Sequence, residues 1–175
     1  MPTIATVVMY NGMWLLAPVM AWNILLTARL PAAFSREVFW REIPRAISIP
    51  ENTLRIGLFA LPGVTMFEVS STEIAGWLAY GLGLAAYFAS WLALIYRPRS
   101  WWSRHAVGFL APAYTPSLWL AGVALSTTSY VGHEPGVRWT FVALSVGFLS
   151  FHVAHTTLIF RRESTKSTLP DHHFE

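Results

Sequence analysis

Four long runs of apolar residues follow one another along the chain, and none of them contains Asp, Glu, Lys or Arg. They cover residues 4–27, 74–96, 106–131 and 139–160. A helix that crosses the hydrocarbon core of a bilayer needs about 20 predominantly apolar residues. Each run reaches that length, so the pattern predicts four transmembrane helices.

A fifth apolar segment, residues 54–71, is less regular than the other four. Arg55 and Glu68 bracket only twelve residues, and Pro62-Gly63 interrupts them. By length alone this segment fits a re-entrant or interfacial segment as well as a transmembrane helix. The positions of the basic residues decide between these alternatives.

Eleven of the twelve basic residues fall into three clusters, at 29–55, 97–104 and 161–166, and only Arg138 stands apart. Lys and Arg in short loops mark the cytoplasmic side of a membrane protein. The three clusters share one face only if residues 54–71 also span. We therefore predict an all-α, multi-pass bundle of five transmembrane helices with the N-terminus outside and the C-terminus in the cytoplasm. The compact loops indicate a bacterial-type cytoplasmic membrane.

The segment between the first two predicted spans, residues 30–52, has apolar and charged positions on opposite faces of a helix. The apolar face holds Phe39, Trp40, Ile43 and Ile47, and the charged face holds Glu37, Arg41, Glu42 and Arg45. This pattern predicts a short interfacial helix that is broken by Pro44. A structured loop with a few buried aromatic side chains fits the pattern equally well. Residues 1–162 then form one transmembrane domain, and residues 163–175 form a polar cytoplasmic tail.

The composition is that of a membrane protein, with 54% hydrophobic and 12% charged residues. Soluble proteins carry about 25% charged residues. The basic residues flank apolar spans instead of forming a basic face, which favours membrane lipids as partners and argues against nucleic acid. Because the chain has no cysteine, disulfides, thiolate metal sites and thiol catalysis are excluded.

Polar residues inside the predicted spans are the candidates for function, because burying them in hydrocarbon is costly. Depths measured from the flanking arginines, at about 1.5 Å per residue, place seven of them in one layer of the inner half of the membrane. They are Asn23, Tyr87, Ser90, Tyr114, Thr115, His152 and His155. Pro112 and Pro116 predict a kinked fourth span, and broken helices at this depth often line binding sites. We predict that this layer binds a ligand if the helices converge on one cavity.

His152 and His155 lie three residues apart on the last span and project from nearby faces. Two histidines are too few for a metal site, and the carboxylates of Glu68 and Glu73 are predicted at the opposite face of the membrane. No metal or cofactor is therefore predicted. Haem or metal ligation by the histidine pair stays an alternative, beside hydrogen bonding across helices.

The sequence leaves three functions open. The first is a binding or accessory protein that holds a lipid-like or small apolar ligand within the bundle. The second is a membrane-embedded enzyme acting on a lipid or isoprenoid, with His152 or His155 as general base and Tyr114 orienting the substrate. The third is a structural subunit whose polar residues serve helix packing, as a homo-oligomer or with a membrane partner subunit.

Overall fold

The computed structural model describes residues 3–67, 74–129 and 135–168, and this part of the chain is mostly helical. A two-stranded antiparallel sheet is formed by β1 (Thr65–Phe67) and β2 (Thr127–Ser129). The helices, in chain order, are α1 (Ile4–Met9), α2 (Ala17–Leu26), α3 (Arg36–Phe39), α4 (Arg45–Ala60), α5 (Ile74–Tyr96), α6 (Trp101–Arg104), α7 (Ala106–Phe109), α8 (Ala111–Tyr114), α9 (Pro116–Ser126) and α10 (Pro135–Thr168).

The first predicted span is broken between α1 and α2 by a 3₁₀ turn at Gly12–Leu15. Asn11 causes the break because its side chain accepts a hydrogen bond from the Met13 amide (2.8 Å) and donates one to the Gly63 carbonyl (3.1 Å). Such a cap satisfies amides that the start of a helix leaves unpaired. The break is therefore held in place by a contact between distant parts of the chain.

The second apolar segment is shifted relative to its prediction. Helix α4 begins at Arg45 instead of Leu54 and ends at Ala60, where Leu61–Val64 form a 3₁₀ turn that leads into β1. Pro50 lies inside α4 and removes only one backbone hydrogen bond, so the helix continues through it. Residues 45–53, which were expected to lie outside the second span, therefore belong to a helix. This part of the helix contains a buried glutamate, Glu51. Residues 68–71 lie outside the described residues.

The predicted interfacial helix is one turn long, because α3 spans only Arg36–Phe39. Glu42 adopts a positive φ of 55° just before Pro44, which caps the start of α4. The apolar face predicted over residues 39–47 is therefore divided between two helices. Phe39 ends the first of them, and Ile47 belongs to the second.

The remaining spans differ in regularity. Helix α5 has the predicted bounds, 74–96. The predicted span at 106–131 is divided into α7, α8 and α9, with Pro112 and Pro116 in the first turns of the last two. Helix α10 is longer than predicted and runs on to Thr168, so the polar segment after Arg162 begins as helix.

Helices α5 and α9 lie close together because glycines face backbone atoms across their contact. A side chain at Gly83 would meet the backbone of Trp119, and one at Gly122 would meet the backbone of Tyr80. Such close approach is typical of small residues at helix contacts in membrane proteins. Helix α10 packs against both α4 and α9.

The basic clusters meet at one end of the bundle. Arg29 donates to the Tyr96 hydroxyl (2.9 Å) at the ends of α2 and α5, and Arg162 donates to the Arg41 carbonyl. Arg138 donates to the Leu125 carbonyl (3.1 Å) at the other end, near the β1–β2 sheet. The separation of Arg138 from the other arginines in sequence is thus also a separation in space.

Two helices of the described part are long and apolar enough to cross a membrane, Ile74–Tyr96 and Gly136–Thr165. Only 22% and 28% of their most apolar 18-residue windows are buried inside the protein. The other predicted spans consist of shorter helices, so the fold shows two candidate membrane-spanning helices within a mostly helical chain.

The contact between α5 and α9 predicts that alanine substitutions at two nearby glycines have different effects on the stability of the protein. Gly83→Ala should destabilise the protein by about 1–3 kcal/mol, because the new methyl group overlaps the Trp119 backbone. Gly81→Ala is the matched control. Apart from the neighbouring residues of its own helix, no described atom lies within 4 Å of a Cβ placed there. The substitution should therefore be neutral or stabilising by up to about 1 kcal/mol. Thermal unfolding in detergent measures both, and equal shifts would contradict the packing.

Candidate functional site

The carboxylate of Glu51 is the most buried charged group of the described chain. It lies on α4 with 0% of its surface exposed, facing α10. Its Oε1 is 2.8 Å from Nδ1 of His152, and its Oε2 is 2.6 Å from Nδ1 of His155. The two histidines predicted as candidates therefore meet on one carboxylate that the sequence analysis did not single out.

Arg55 completes this cluster from the next turn of α4. Its Nη2 donates to Oε1 of Glu51 at 2.5 Å. Its guanidinium also lies over the rings of Trp40 and Phe148, 5.6 and 5.4 Å from their centroids. The aromatic faces add favourable cation–π contacts, and they hold the guanidinium where one third of the side chain stays exposed.

The net charge of the cluster is inferred from the hydrogen-bond partners of His155. Its Nε2 lies 2.8 Å from the Phe39 carbonyl, which can only accept, so Nε2 carries a proton. Its Nδ1 faces Glu51, and one further proton lies on that hydrogen bond, on the ring or on the carboxyl group. With Arg55 charged and His152 neutral, both proton positions give the cluster of Glu51, Arg55, His152 and His155 a net charge of +1.

His152 is oriented by the same carboxylate. Since Oε1 of Glu51 accepts, Nδ1 of His152 donates, and its Nε2 is left as a hydrogen-bond acceptor. The ring stacks on Phe148 with centroids 5.2 Å apart and planes 13° from parallel. A carboxylate that fixes the tautomer and orientation of a histidine is a common arrangement for proton transfer.

The end of α3 and the residues that follow it cover the cluster on one side. The rings of Phe39 and Trp40 lie 4.2 and 4.8 Å from the ring of His155, measured between centroids. Arg162 ties this segment to α10 by donating to the carbonyls of Val38 and Arg41. The aromatic residues predicted to lie in the interface thus cover a buried histidine.

Two neighbouring cavities lie beside the cluster, and both are in contact with Arg55 and His152. The first, which we call the vestibule, has a volume of about 400 Å³. It reaches the basic end of the bundle at Leu30 and Arg36. The second, the deep chamber, has a volume of about 270 Å³ and extends toward Tyr87 and Trp119. Four residues line both cavities: Arg55, Trp91, Pro112 and His152.

Of the seven predicted site residues, three line the deep chamber: Asn23, Tyr87 and His152. The Tyr87 hydroxyl donates to Oδ1 of Asn23 at 2.9 Å, which joins α5 to α2. His155 has 0% of its surface exposed and lines none of the cavities described here. It therefore lies on the side of the cluster that faces away from these cavities.

The other three predicted residues, Ser90, Tyr114 and Thr115, line a different cavity of about 480 Å³ beside Arg97. The Tyr114 hydroxyl donates to the Val107 carbonyl (3.1 Å), and that of Thr115 donates to the Ala111 carbonyl (2.7 Å). The polar layer is thus divided between separate cavities. Tyr114 does not share a cavity with His152.

Glu51 and Arg55 are candidate site residues that the pattern of apolar spans does not predict. Their i, i+4 spacing is the signal that could have found them, since oppositely charged residues pair at this distance on a helix. Glu68 and Glu73, which were considered as carboxylate partners, lie outside the described residues. Within residues 3–67, 74–129 and 135–168, no three His, Asp or Glu side chains are arranged to hold a metal ion.

Comparison with known proteins adds no assignment, because no protein-family model, curated protein or solved structure matches the chain.

The proton arrangement inferred at His155 predicts that two substitutions of Glu51 differ sharply in their effect on the stability of the protein. Glu51→Ala removes the carboxyl group that hydrogen-bonds to Arg55, His152 and His155, and it should cost about 3–5 kcal/mol of stability, as for other broken buried ion pairs. Glu51→Gln should cost far less, because its amide can donate to Nδ1 of a neutral His155 while its oxygen still accepts from Arg55 and His152. Thermal or chemical unfolding in detergent measures both.

The control for this pair is Glu37→Ala, which changes an exposed carboxylate on α3 and should leave stability nearly unchanged. If Glu51→Gln destabilised the protein as much as Glu51→Ala, the proton arrangement inferred for His155 would be wrong.

Proposed function

We propose that the chain is a five-span protein of the cytoplasmic membrane with its N-terminus outside and C-terminus inside. The support is that large apolar side chains are exposed along all the main helices. They include Ile24 and Leu25 on α2, Ile56 on α4, Leu78 and Leu82 on α5, Leu118 and Leu125 on α9, and Val146 on α10. Soluble monomers rarely expose apolar patches larger than a few hundred Å², whereas such surfaces are at home in lipid.

Aromatic residues at the two ends of the bundle support the same proposal. Trp101 and Tyr96 are exposed at the basic end, and Trp14 and Trp139 are exposed at the opposite end. Trp and Tyr are enriched where membrane meets water, because their rings are apolar and their edges polar. With the arginines at one end, this arrangement favours that end as the cytoplasmic one.

The absence of cysteine from the sequence allows a clean test of this topology. Gly136→Cys places a thiol at the start of α10, at the end where Arg138 lies, and Arg99→Cys places one at the basic end. A membrane-impermeant maleimide should label Gly136→Cys in spheroplasts and Arg99→Cys only after lysis. Labelling of both variants in intact spheroplasts would contradict a transmembrane arrangement, and the reverse pattern would contradict its orientation.

We further propose that the vestibule and deep chamber bind an amphipathic molecule with an anionic headgroup. The feature that carries this proposal is the net charge of +1 inferred for the cluster, whose residues Arg55 and His152 line both cavities. A partly buried charge is stabilised by a partner of opposite sign. Arg36 adds a second positive charge to the vestibule wall. Arginine suits carboxylate and phosphate because its guanidinium forms paired hydrogen bonds with both.

The shape of the cavities agrees with such a ligand. A volume of about 400 Å³ lies within the usual range of about 300–1,000 Å³ for small-molecule sites. The vestibule meets the basic end, where headgroups of the inner leaflet would lie. The deep chamber is lined largely by apolar side chains, such as Val19, Leu58 and Leu120. The headgroup would therefore lie near Arg55, with hydrocarbon extending into the bundle.

Binding of a single-chain lipid phosphate tests this function. In uncharged detergent, oleoyl lysophosphatidic acid should bind at least tenfold more tightly than mono-oleoylglycerol, which has the same chain but no phosphate. Arg55→Gln should weaken lysophosphatidic acid binding roughly 10- to 100-fold, because a hydrogen bond to a charged group contributes about 1.5–3 kcal/mol. Calorimetric titration measures the affinities.

Two controls accompany this experiment. Arg55→Lys keeps the charge and should restore part of the affinity, whereas Arg99→Gln removes an exposed arginine that lines none of the three cavities described above and should have no effect. Equal affinities for the two lipids, or binding that is insensitive to Arg55, would overturn the proposed ligand class.

A second candidate function, a membrane-embedded enzyme acting on a lipid or isoprenoid, is favoured by one observation. His152 lies at the junction of the two cavities with Nδ1 held by Glu51, so its Nε2 can accept a proton from a bound substrate. His155 is sealed and Tyr114 lines another cavity, so neither has this role. Mass spectrometry of the lipid recovered from the binding experiment distinguishes the two functions, since only the enzyme would change it.

A further inference from the structure

The imidazole of His152 has one ring nitrogen that no described residue engages. Its Nδ1 donates to Glu51, and one face of the ring stacks on Phe148. Its Nε2 forms no hydrogen bond within the described chain, and it is not among the fully covered side-chain atoms that lack a partner there, so it keeps accessible surface. The side chain is 21% exposed, and the residue lines both cavities. A ligand that fills the cavities therefore meets an uncovered acceptor.

Arg55 and His152 place groups of opposite hydrogen-bonding character side by side. Nη2 of Arg55 and Nδ1 of His152 both bond to Oε1 of Glu51, at 2.5 and 2.8 Å, so the two side chains are immediate neighbours. A guanidinium carries five N–H donors and no acceptor, and Glu51 engages only one of its nitrogens. The neutral imidazole presents an acceptor. The junction of the two cavities therefore offers a charged donor and an uncharged acceptor to the same ligand.

A ligand that carries only an anionic group satisfies Arg55 and leaves His152 unpaired. Filling the cavities displaces water from Nε2, and a buried acceptor without a donor costs free energy. An oxygen of the anion cannot replace this water, because its lone pairs would face the lone pair of the imidazole. The ligand is therefore expected to bring a hydrogen-bond donor in addition to its anionic group.

The chemistry of this donor can be narrowed by elimination. A carboxylic acid has lost its proton at neutral pH, and a phosphate monoester has largely lost its last one, because its second pKa is about 6. An ammonium group would place a positive charge beside Arg55. An amide N–H comes with a carbonyl oxygen that points the opposite way and needs a further donor. A hydroxyl is uncharged and small, and it remains as the donor that fits.

We propose that the junction of the vestibule and the deep chamber selects an anionic lipid with a free hydroxyl close to its headgroup, and that His152 recognises this hydroxyl. The inference rests on the proposed function, which places the headgroup near Arg55. Because Arg55 and His152 meet on one carboxylate oxygen, the anionic group and the hydroxyl should be only a few bonds apart, as in the glycerol unit of a lysophospholipid. Phosphatidic acid, whose glycerol hydroxyls are both esterified, lacks this donor.

Removal of one hydroxyl from the lipid tests the inference without any mutation. Oleoyl lysophosphatidic acid and its 2-deoxy analogue, in which a methylene replaces the hydroxyl-bearing carbon of the glycerol unit, have the same chain, ester and phosphate. In uncharged detergent the wild-type protein should bind the hydroxylated lipid about three- to tenfold more tightly, the effect expected of one neutral hydrogen bond. Equal affinities overturn the inference and leave the proposed function standing. A protein that binds neither lipid overturns both.

Substitution of the histidine then assigns the preference to its residue. His152→Phe keeps an aromatic ring but has no acceptor, so the ratio of the two affinities should fall to about one. His152→Gln can donate to Glu51 through its amide nitrogen and present its amide oxygen, so it should retain part of the preference. His105→Phe changes an exposed histidine that lines none of the three cavities and should keep the wild-type ratio. A His152→Phe protein that retains the full preference overturns the role of His152.

A spectroscopic measurement on the wild-type chain covers the case in which His152→Phe does not fold. With ¹⁵N-labelled histidine, the hydroxylated lipid should move the resonance of an unprotonated imidazole nitrogen upfield, as expected when that nitrogen accepts a hydrogen bond. The 2-deoxy analogue should leave the resonance in place. Equal shifts with the two lipids overturn the inference.

Discussion

The ion cluster between α4 and α10 is the constraint on which the rest of the site depends. A carboxylate with no exposed surface is tolerated only if its acceptor positions are filled. Glu51 meets this condition because Arg55, His152 and His155 all form hydrogen bonds with its carboxyl group. Those bonds fix the relative position of the two helices at this level, and they also determine which face of His152 lies toward the cavities.

The cavities exist because the backbone on the opposite side is irregular. Pro112 and Pro116 divide the fourth apolar segment into short helices, and both residues line the deep chamber. A continuous helix would carry closely packed side chains at that level. The glycine contacts between α5 and α9 are tight, and one of them is with the backbone of Trp119, which also lines the deep chamber. The bundle thus combines close helix contacts with neighbouring cavities.

The features of this structure that depend on neighbouring residues could be predicted from the sequence. Those that depend on contacts between distant residues could not. The bounds of α5 follow from uninterrupted apolar character, which is a local property, and the prolines locate the broken fourth segment. The start of α4 could not be found this way, because Glu51 and Arg55 resemble loop residues until their partners on α10 are known. The site could be predicted only in part for the same reason. His152 and His155 were found as polar residues within an apolar run, whereas Glu51 lay just outside the predicted span.

The cluster has a consequence for selectivity that does not depend on where its shared proton lies. Moving the proton between Glu51 and His155 redistributes charge within a hydrogen bond of 2.6 Å but leaves the total at +1. A ligand in the vestibule therefore meets a net positive charge in both arrangements, and Arg55 is the part of the cluster that can contact it. The proposed preference for an anionic ligand follows from this net charge.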